Sequence, residues 1–175
     1  MHLEPNEFHH RRFTEADFTQ LSWHDCALSG VSWSVGDFGA ADLTSDLGFE
    51  LDYITEWICE VDGSCQFKIA PARLVFHGVT DPRMTFDWGK SGFQVAIYDA
   101  VIDRIERQQV AEQKIFLETP YYEWRVLLHL PIRGEISFGA VGFTMTLLAE
   151  PILKKGQGLS RAERATLLRA TKHPE

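Results

Sequence analysis

The chain has 175 residues and a mass of 20.0 kDa, which is the size of a single folded domain. Apolar residues make up 45% of the sequence and charged residues 24%, and this globular balance excludes a wholly disordered chain, a collagen-like repeat and a coiled coil. The formal net charge is −8, so the chain repels phosphate groups, which disfavours binding to nucleic acid or to an anionic membrane.

The first predicted element is a short helix capped by Thr14, with Asp17 at its third position and an end at Leu21. After Leu21 the apolar residues recur at every second position, which is typical of strands that bury one face. The first such strand is predicted to be half-buried, and its apolar face carries Val31, Trp33 and Val35.

Three more strands are predicted before residue 90, and they span residues 49–57, 72–79 and 83–88. The first alternates apolar with acidic side chains, so its outer face is acidic. The turn at Asp62-Gly63-Ser64 ends it, Pro71 begins the second strand, and the turn at Asp81-Pro82 leads into the third.

Residues 94–109 fit either a helix, by the spacing of their aliphatic side chains, or a long twisted strand, by their β-branched content. We predict a strand, because the segments that follow alternate like an antiparallel meander at residues 114–119, 122–130, 135–138 and 141–148. A flexible connector is predicted at residues 154–158. A helix follows at about residues 160–171, opened by a capping box of Ser160 and Glu163.

These elements define a mainly β fold of the α+β type, with a short N-terminal helix and a C-terminal helix. We predict an antiparallel sandwich or a partly closed barrel that forms one domain over residues 1–175. The C-terminal helix is predicted to be an appendage of that domain. Neither an internal repeat nor a change of composition marks a second one.

The cysteines Cys26, Cys59 and Cys65 are odd in number, which argues against a secreted disulfide framework and predicts reduced thiols. A Cys59–Cys65 bridge across a turn is the less favoured alternative. Apolar runs fall well short of the roughly 20 residues that cross a bilayer, and residues 1–13 are polar. We therefore expect a cytoplasmic protein that does not associate with membranes.

Acidic charge is concentrated in the first third of the chain, where eleven acidic residues and no lysine or arginine lie between Phe13 and Phe67. Residues 151–175 hold six basic residues and two acidic ones. Either the basic tail packs near the acidic face of its own domain, or that face steers a basic partner protein. In the second case the predicted binding residues are Glu50, Asp52, Glu56, Glu60 and Asp62.

Motifs of the types GxxxxGK[ST], GxGxxG, HExxH, GxSxG and CxxC are missing from the sequence, and no cofactor is predicted. The densest reactive group is His24-Asp25-Cys26. One interpretation is a thiolate–imidazole nucleophile or part of a metal site. The other, which we favour, is a helix-to-strand corner that uses His24 or Asp25 for backbone hydrogen bonds and Cys26 as a small core residue. These three residues are weak catalytic candidates.

Three histidines, His24, His77 and His129, are weak candidates for a metal site, since they converge only if their strands are neighbours in register. Exposed or singly hydrogen-bonded histidines are the commoner outcome. Asp99 and Asp103 are four residues apart and could bind a cation or exchange protons, although a solvated edge is the usual role of such a pair.

Several short motifs occur in a characteristic order: LSWHDC at residues 21–26, LGFELDYI at residues 47–54 with Trp57, and PARLVF at residues 71–76. This order resembles a class of small uncharacterised bacterial proteins, some of which are similar to immunity proteins of polymorphic toxin systems. Residues 134–138 and 159–164 are compatible with that pattern. The resemblance implies a β-rich bacterial cytosolic domain and carries over no catalytic residue.

Three functional hypotheses follow from the sequence. The leading one is a protein-interaction module that uses its acidic surface, in the manner of an immunity protein. The second is a small-ligand binder or hydrolase-type enzyme whose pocket has His24, Asp25 or His77 at its polar end. If the sheet closes into a barrel, that pocket would be lined by Trp23, Trp33, Trp57, Trp88 and Trp124, whereas core packing is the expected default for these residues. The third is a homo-oligomeric subunit formed through an exposed sheet edge, and the balance favours a function without catalysis.

Overall fold

The computed structural model describes residues 12–87, 99–110 and 119–171. Within these ranges it contains two short 3-10 helices, Glu15–Gln20 and Phe38–Ala40, and one α-helix, α1 (Arg161–Ala170). The strands are β1 (Arg12–Thr14), β2 (Ala27–Val35), β3 (Ser45–Cys59), β4 (Cys65–His77), β5 (Thr80–Thr85), β6 (Ala100–Gln109), β7 (Tyr122–Leu130), β8 (Glu135–Ala140), β9 (Gly142–Leu147) and β10 (Ile152–Lys154). The predicted mainly β fold with a C-terminal helix is confirmed.

All ten strands belong to one antiparallel sheet in the order β1-β9-β4-β3-β2-β6-β7-β8-β5, with β10 paired to β4. The sheet is not closed into a barrel. It bends at a narrow junction, where only Ala27 and Leu28 of β2 pair with β6. Its two parts then face each other, because Phe76 of β4 contacts Phe138 of β8 and Trp124 of β7, with ring centroids 4.7 and 5.0 Å apart.

The hydrophobic core fills the space between these two parts of the sheet. Alternate residues of each strand point inward, as the period of two in the sequence predicts. The largest fully buried side chains come from both parts, and they are Trp124, Phe49, Phe76, Phe143, Leu47, Leu51, Ile69, Leu74, Ile102, Ile136, Met145 and Val126. Aromatic rings meet edge to face across the interior, which is the geometry that such rings prefer.

The capping predictions at both ends of the chain are confirmed. The Thr14 backbone N–H donates to Asp17 Oδ2 over 2.9 Å at the start of the first 3-10 helix. Ser160 caps α1, where its Oγ accepts from the Glu163 backbone N–H over 3.3 Å. Each cap satisfies a backbone donor that has no partner inside its helix.

The predicted strand β2 is present, but its apolar face is not buried as the sequence predicted. Val31, Trp33 and Val35 are 43%, 44% and 69% exposed. Their register partners on β3 show that they share the face of the buried Leu47 and Phe49. They are exposed because β6 pairs with β2 only as far as Leu28, so the second part of the sheet does not extend over them.

Two predicted strand boundaries also need correction. Pro71 does not begin a strand but lies inside β4, at the point where β4 changes its outer partner from β10 to β9. The Pro71 carbonyl accepts from the Leu148 N–H over 2.7 Å, so the backbone of Pro71 is turned towards this junction and away from β3. The absence of an N–H on proline therefore removes no hydrogen bond from the ladder with β3. Asp81-Pro82 is not a turn but a bulge within β5.

The strand predicted for the ambiguous segment is confirmed over Ala100–Gln109, the extent of β6. Residues 94–98 and 114–118, which complete two predicted strands, lie outside the described residues. β7 has the predicted bounds, and β8 and β9 agree with theirs to within two residues.

The segment predicted as a flexible connector is held by side-chain contacts. Lys154 Nζ donates to the Gly158 carbonyl over 3.0 Å and to Glu163 Oε2 over 2.6 Å. Gln157 Nε2 donates to Asp25 Oδ2 over 2.7 Å. These hydrogen bonds join the segment to α1 and to the corner at Asp25, partners that its polar and glycine-rich composition did not indicate.

The Glu163 carboxylate makes the attachment of α1 sensitive to acid. Hydrogen bonds from Lys154 and Ser160 lower the pKa of Glu163 to about 2. Because this is below the unfolded value of about 4.3, the stabilisation is present above that pH and is lost as the pH falls towards 2. We expect Glu163→Gln to lose less stability than the wild type between about pH 5 and pH 2.

Urea unfolding at a series of pH values measures this difference. The matched control is Glu150→Gln, since Glu150 is exposed and forms no ion pair within the described ranges. The control should keep the acid sensitivity of the wild type. Identical pH dependence for Glu163→Gln and the wild type would contradict the assignment.

Candidate functional site

His24 of the predicted reactive group contacts Trp57 of β3, which precedes the predicted acidic residues Glu60 and Asp62 in the β3–β4 hairpin. The His24 ring stacks on Trp57, with centroids 6.1 Å apart and planes inclined by 19°. Trp57 also contacts Phe67 of β4 edge to face at 4.9 Å and is 42% exposed. We call the surface formed by His24, Trp57, Glu60, Val61 and Asp62 the hairpin surface.

Two carboxylates flank the imidazole of His24. Its Nε2 lies 3.6 Å from Asp25 Oδ2, and its Nδ1 lies 3.5 Å from Asp103 Oδ1 and 3.3 Å from the Asp103 carbonyl. Asp25 has a left-handed backbone with φ of 62°, and its N–H donates to the Ile102 carbonyl over 2.9 Å. This turn brings the adjacent side chains of His24 and Asp25 together, which an extended backbone would not do.

The hairpin tip is a tight loop with defined hydrogen bonds. The Glu60 N–H donates to the Ser64 carbonyl over 2.8 Å, and the Gly63 N–H donates to the Glu60 carbonyl over 3.0 Å. Gly63 has φ of 84°, a conformation that glycine adopts without strain. Hydrogen bonds from Ser64 lower the pKa of Asp62. The loop thus holds the fully exposed Val61 between two carboxylates.

A Cys59–Cys65 disulfide closes the base of this loop, so the prediction of reduced thiols is wrong for these two residues. They are direct register partners, with Cα atoms 4.1 Å apart. Their six-residue separation did not decide the matter, because only the hairpin register places them opposite each other. Disulfides are more common in oxidising compartments, so the cytoplasmic location stays a prediction.

Cys26 cannot serve as the nucleophile that the sequence offered. Its side chain is fully buried, and burial is the main reason that its pKa is raised to about 12. At neutral pH it is a thiol rather than the reactive thiolate. Cys26 therefore has the structural role that we favoured for it, as a small residue of the core.

We expect the native protein at about pH 8 to show no thiol that reacts rapidly with a colorimetric disulfide reagent. After unfolding in denaturant without reductant, one thiol should react, because Cys59 and Cys65 are bonded to each other. Cys26→Ser supplies the control, in which the unfolded chain should show none. Rapid reaction of one thiol in the folded wild type would contradict the burial of Cys26.

Asp52 does not belong to an exposed acidic surface. It is 0% exposed, and it accepts hydrogen bonds from Arg164 Nε at 2.9 Å, from Arg164 Nη2 at 2.7 Å and from the Leu159 N–H at 2.8 Å. The hydrogen bond with Asp52 is the main reason that the pKa of Arg164 is raised. Asp52 is therefore the residue that joins α1 to the sheet through Arg164.

The other predicted acidic residues fall into two groups. Glu50 lies 3.5 Å from Arg73, and Glu56 lies 2.6 Å from Lys68, so cations of β4 compensate both. Glu60 and Asp62 are exposed and form no ion pair in the part of the chain that the structure describes. Of the five predicted binding residues, Glu60 and Asp62 are thus the two without an ion-pair partner among the described residues.

His77 belongs to a polar chain on the outer face of the sheet. Its Nδ1 lies 3.2 Å from Asp46 Oδ2 and its Nε2 lies 3.0 Å from Thr144 Oγ1, beside an open cavity of about 250 Å³. The order carboxylate, imidazole, hydroxyl is that of a hydrolase relay. However, the nearby Val141 N–H already donates to the His77 carbonyl and cannot stabilise an oxyanion. A cross-strand hydrogen-bond ladder is the simpler role.

The predicted metal and tryptophan sites do not form among the described residues. His24, His77 and His129 lie apart, and no group of three or more His, Cys, Asp or Glu side chains there could hold a metal ion. Trp23 and Trp124 are in the core, whereas Trp33 and Trp57 are exposed. Trp88 lies outside the described residues, and none of the other four lines the cavity beside His77.

The described helices include none that is long and apolar enough to cross a membrane. Comparisons of the chain with protein-family models, with curated proteins and with solved structures gave no match.

Proposed function

We propose that the chain is a protein-interaction module that binds a basic partner protein through the hairpin surface. The observation that carries this proposal is the hairpin tip, where an exposed apolar side chain stands between two carboxylates that have no cationic partner among residues 12–87, 99–110 and 119–171. Apolar and aromatic groups supply most of the binding energy in protein interfaces, and a charged rim steers the encounter. The half-exposed Trp57 next to the tip supplies the aromatic group.

Rigidity supports the same proposal. The Cys59–Cys65 bridge and the hydrogen bonds within the loop hold the tip, and the His24 and Phe67 rings hold Trp57. A surface that is ordered before binding loses little conformational entropy when a partner arrives. The hairpin surface therefore has the properties of a preformed docking site.

The class of partner follows from charge. A partner with a cluster of lysine or arginine side chains would complement Glu60 and Asp62, and its binding would weaken as salt screens the attraction. The resemblance of the sequence to immunity proteins favours a basic bacterial toxin as that partner. On this proposal the chain blocks or captures the toxin by binding and performs no catalysis itself.

Quantitative affinity capture with the full chain as bait tests the proposal. The informative variant is Glu60→Lys/Val61→Ser, which leaves the Asp62 cap in place. The matched control is Glu123→Lys/Leu153→Ser, which makes the same changes at exposed positions of β7 and β10. We expect a basic protein that the wild type and control retain and that the tip variant loses.

The purified partner should bind the tip variant at least about tenfold more weakly, which corresponds to about 1.4 kcal/mol. Affinity for the wild type should also fall as salt rises from about 50 to about 300 mM. A partner with equal affinity for the wild type and the tip variant would exclude the hairpin surface as the docking site.

A further inference from the structure

The Cys59–Cys65 disulfide lies at the outer end of the β3–β4 ladder, close to solvent. Cys59 is exposed and Cys65 is half-buried. Because the next pair, Glu60 and Ser64, is joined by a backbone hydrogen bond, the alternation of an antiparallel ladder leaves Cys59 and Cys65 without one between them. The sulfur–sulfur bond is therefore the direct link between the two strands at this position.

The position of the bridge favours a local effect of its reduction. Cys59 lies outside the core cluster, and Cys65 packs only against its margin. The β3–β4 ladder continues inward from the pair Ile58 and Gln66. The bridged cysteines are six positions apart, and a disulfide that closes so short a loop adds less to stability than one that closes a long loop. We therefore expect reduction to loosen the end of the hairpin and to leave the fold in place.

The third cysteine is kept out of this chemistry. Cys26 is fully buried, and burial is the main reason that its pKa is raised to about 12. Thiol–disulfide exchange needs a thiolate that can reach the sulfur atom under attack. Exchange in the folded chain is thus confined to Cys59 and Cys65.

We propose that the Cys59–Cys65 bridge is a redox switch, which a thiol of the glutathione class opens and which sets the order of the hairpin tip. The thiolate of one glutathione attacks a bridge sulfur, forms a mixed disulfide and releases the other cysteine as a thiol. A second glutathione attacks the mixed disulfide. In sum, two glutathione thiols are oxidised to one disulfide, and Cys59 and Cys65 take up two electrons and two protons. Exposed disulfides exchange in this way more readily than buried structural ones.

Reduction removes one of the constraints that hold Val61 between its two neighbouring carboxylates. The hydrogen bonds from the Glu60 N–H to Ser64 and from the Gly63 N–H to Glu60 remain, so the tip is loosened rather than lost. A looser surface loses more conformational entropy when a partner docks. The reduced chain therefore binds its partner more weakly, a step that rests on the proposed function, whereas the opening of the bridge does not.

Equilibration of the full chain with about 10 mM reduced and about 0.1 mM oxidised glutathione tests the switch. Alkylation of the native chain and mass spectrometry count its free thiols. We expect at least about half of the molecules to expose two thiols, with an unchanged circular dichroism spectrum. Amide exchange at Glu60 and Gly63 should become at least about tenfold faster. Cys26→Ser, which keeps the bridge, should respond like the wild type.

Three results would overturn the switch. They are a bridge that stays closed in most molecules under these conditions, a chain that unfolds on reduction, and tip amides that exchange equally fast in both redox forms. Cys59→Ser/Cys65→Ser is the matched variant, since it lacks the bridge and should show the fast amide exchange of the reduced wild type without glutathione.

Affinity for the purified partner separates this proposal from the proposed function. The reduced wild type and Cys59→Ser/Cys65→Ser should bind between about three- and about tenfold more weakly than the oxidised wild type, and the double variant should not respond to glutathione. Equal affinity of the two redox forms would exclude control of docking by the bridge and leave the docking site in place. A bridge that opens in a chain that captures no basic protein would support the switch and contradict the proposed function.

Discussion

Arg164→Ala is expected to lower the free energy of unfolding by about 3–5 kcal/mol. The substitution leaves the Asp52 carboxylate buried with the Leu159 N–H and without its cation. A buried charge that loses its partner keeps its desolvation cost and loses the attraction that offset it. The same change releases α1 from the sheet, because Arg164 is the residue that joins the helix to Asp52.

Urea unfolding followed by circular dichroism measures this loss as a lower midpoint with an unchanged slope. Arg161→Ala, at an exposed position in the same helical turn, should change stability by less than about 0.5 kcal/mol. The double variant Asp52→Leu/Arg164→Met removes both charges and should recover most of the loss. If Arg164→Ala were as stable as Arg161→Ala, the ion pair would not be the anchor of the helix.

Phe76→Ala should lower the free energy of unfolding by a similar amount, about 3–5 kcal/mol. The Phe76 ring is fully buried and contacts Phe138, Trp124, Phe49 and Phe143. These neighbours belong to both parts of the bent sheet, so the cavity left by alanine lies where the parts meet. A cavity adds to the lost transfer free energy because its walls relax only partly.

Phe86→Ala is the matched control, since Phe86 is 39% exposed just beyond β5. Its loss should be about 1 kcal/mol or less, and Phe76→Leu should lie between the two alanine variants. Denaturant unfolding gives the three values on one scale. Equal losses for Phe76→Ala and Phe86→Ala would show that Phe76 does not join the two parts of the sheet.

The candidate site was only partly predictable. His24, Glu60 and Asp62 are residues that the sequence had singled out, but it assigned them to two separate groups. The stack of His24 on Trp57, which brings the first group to the hairpin, depends on where the helix-to-strand corner meets β3. Trp57 was predicted as a core residue, with a pocket as the alternative, and no spacing in the sequence indicates that it supports a surface.

The role of Asp52 was also only partly predictable from the sequence. The sequence offered two roles for the acidic first third, namely contact with the basic tail and contact with a partner. Asp52 takes the first role, with Arg164 112 positions away. We propose that the tip carboxylates Glu60 and Asp62 take the second.

The sequence by itself determined the type and position of most strands, both helix caps and the acidic character of the hairpin, because these depend on local alternation, capping and composition. The tertiary structure decided which faces are buried, which cysteines meet and which charges are paired. The exposed Val31 and the buried Asp52 illustrate the reason. Burial and pairing depend on where distant strands and α1 end, and the alternation of residues within one strand does not indicate those positions.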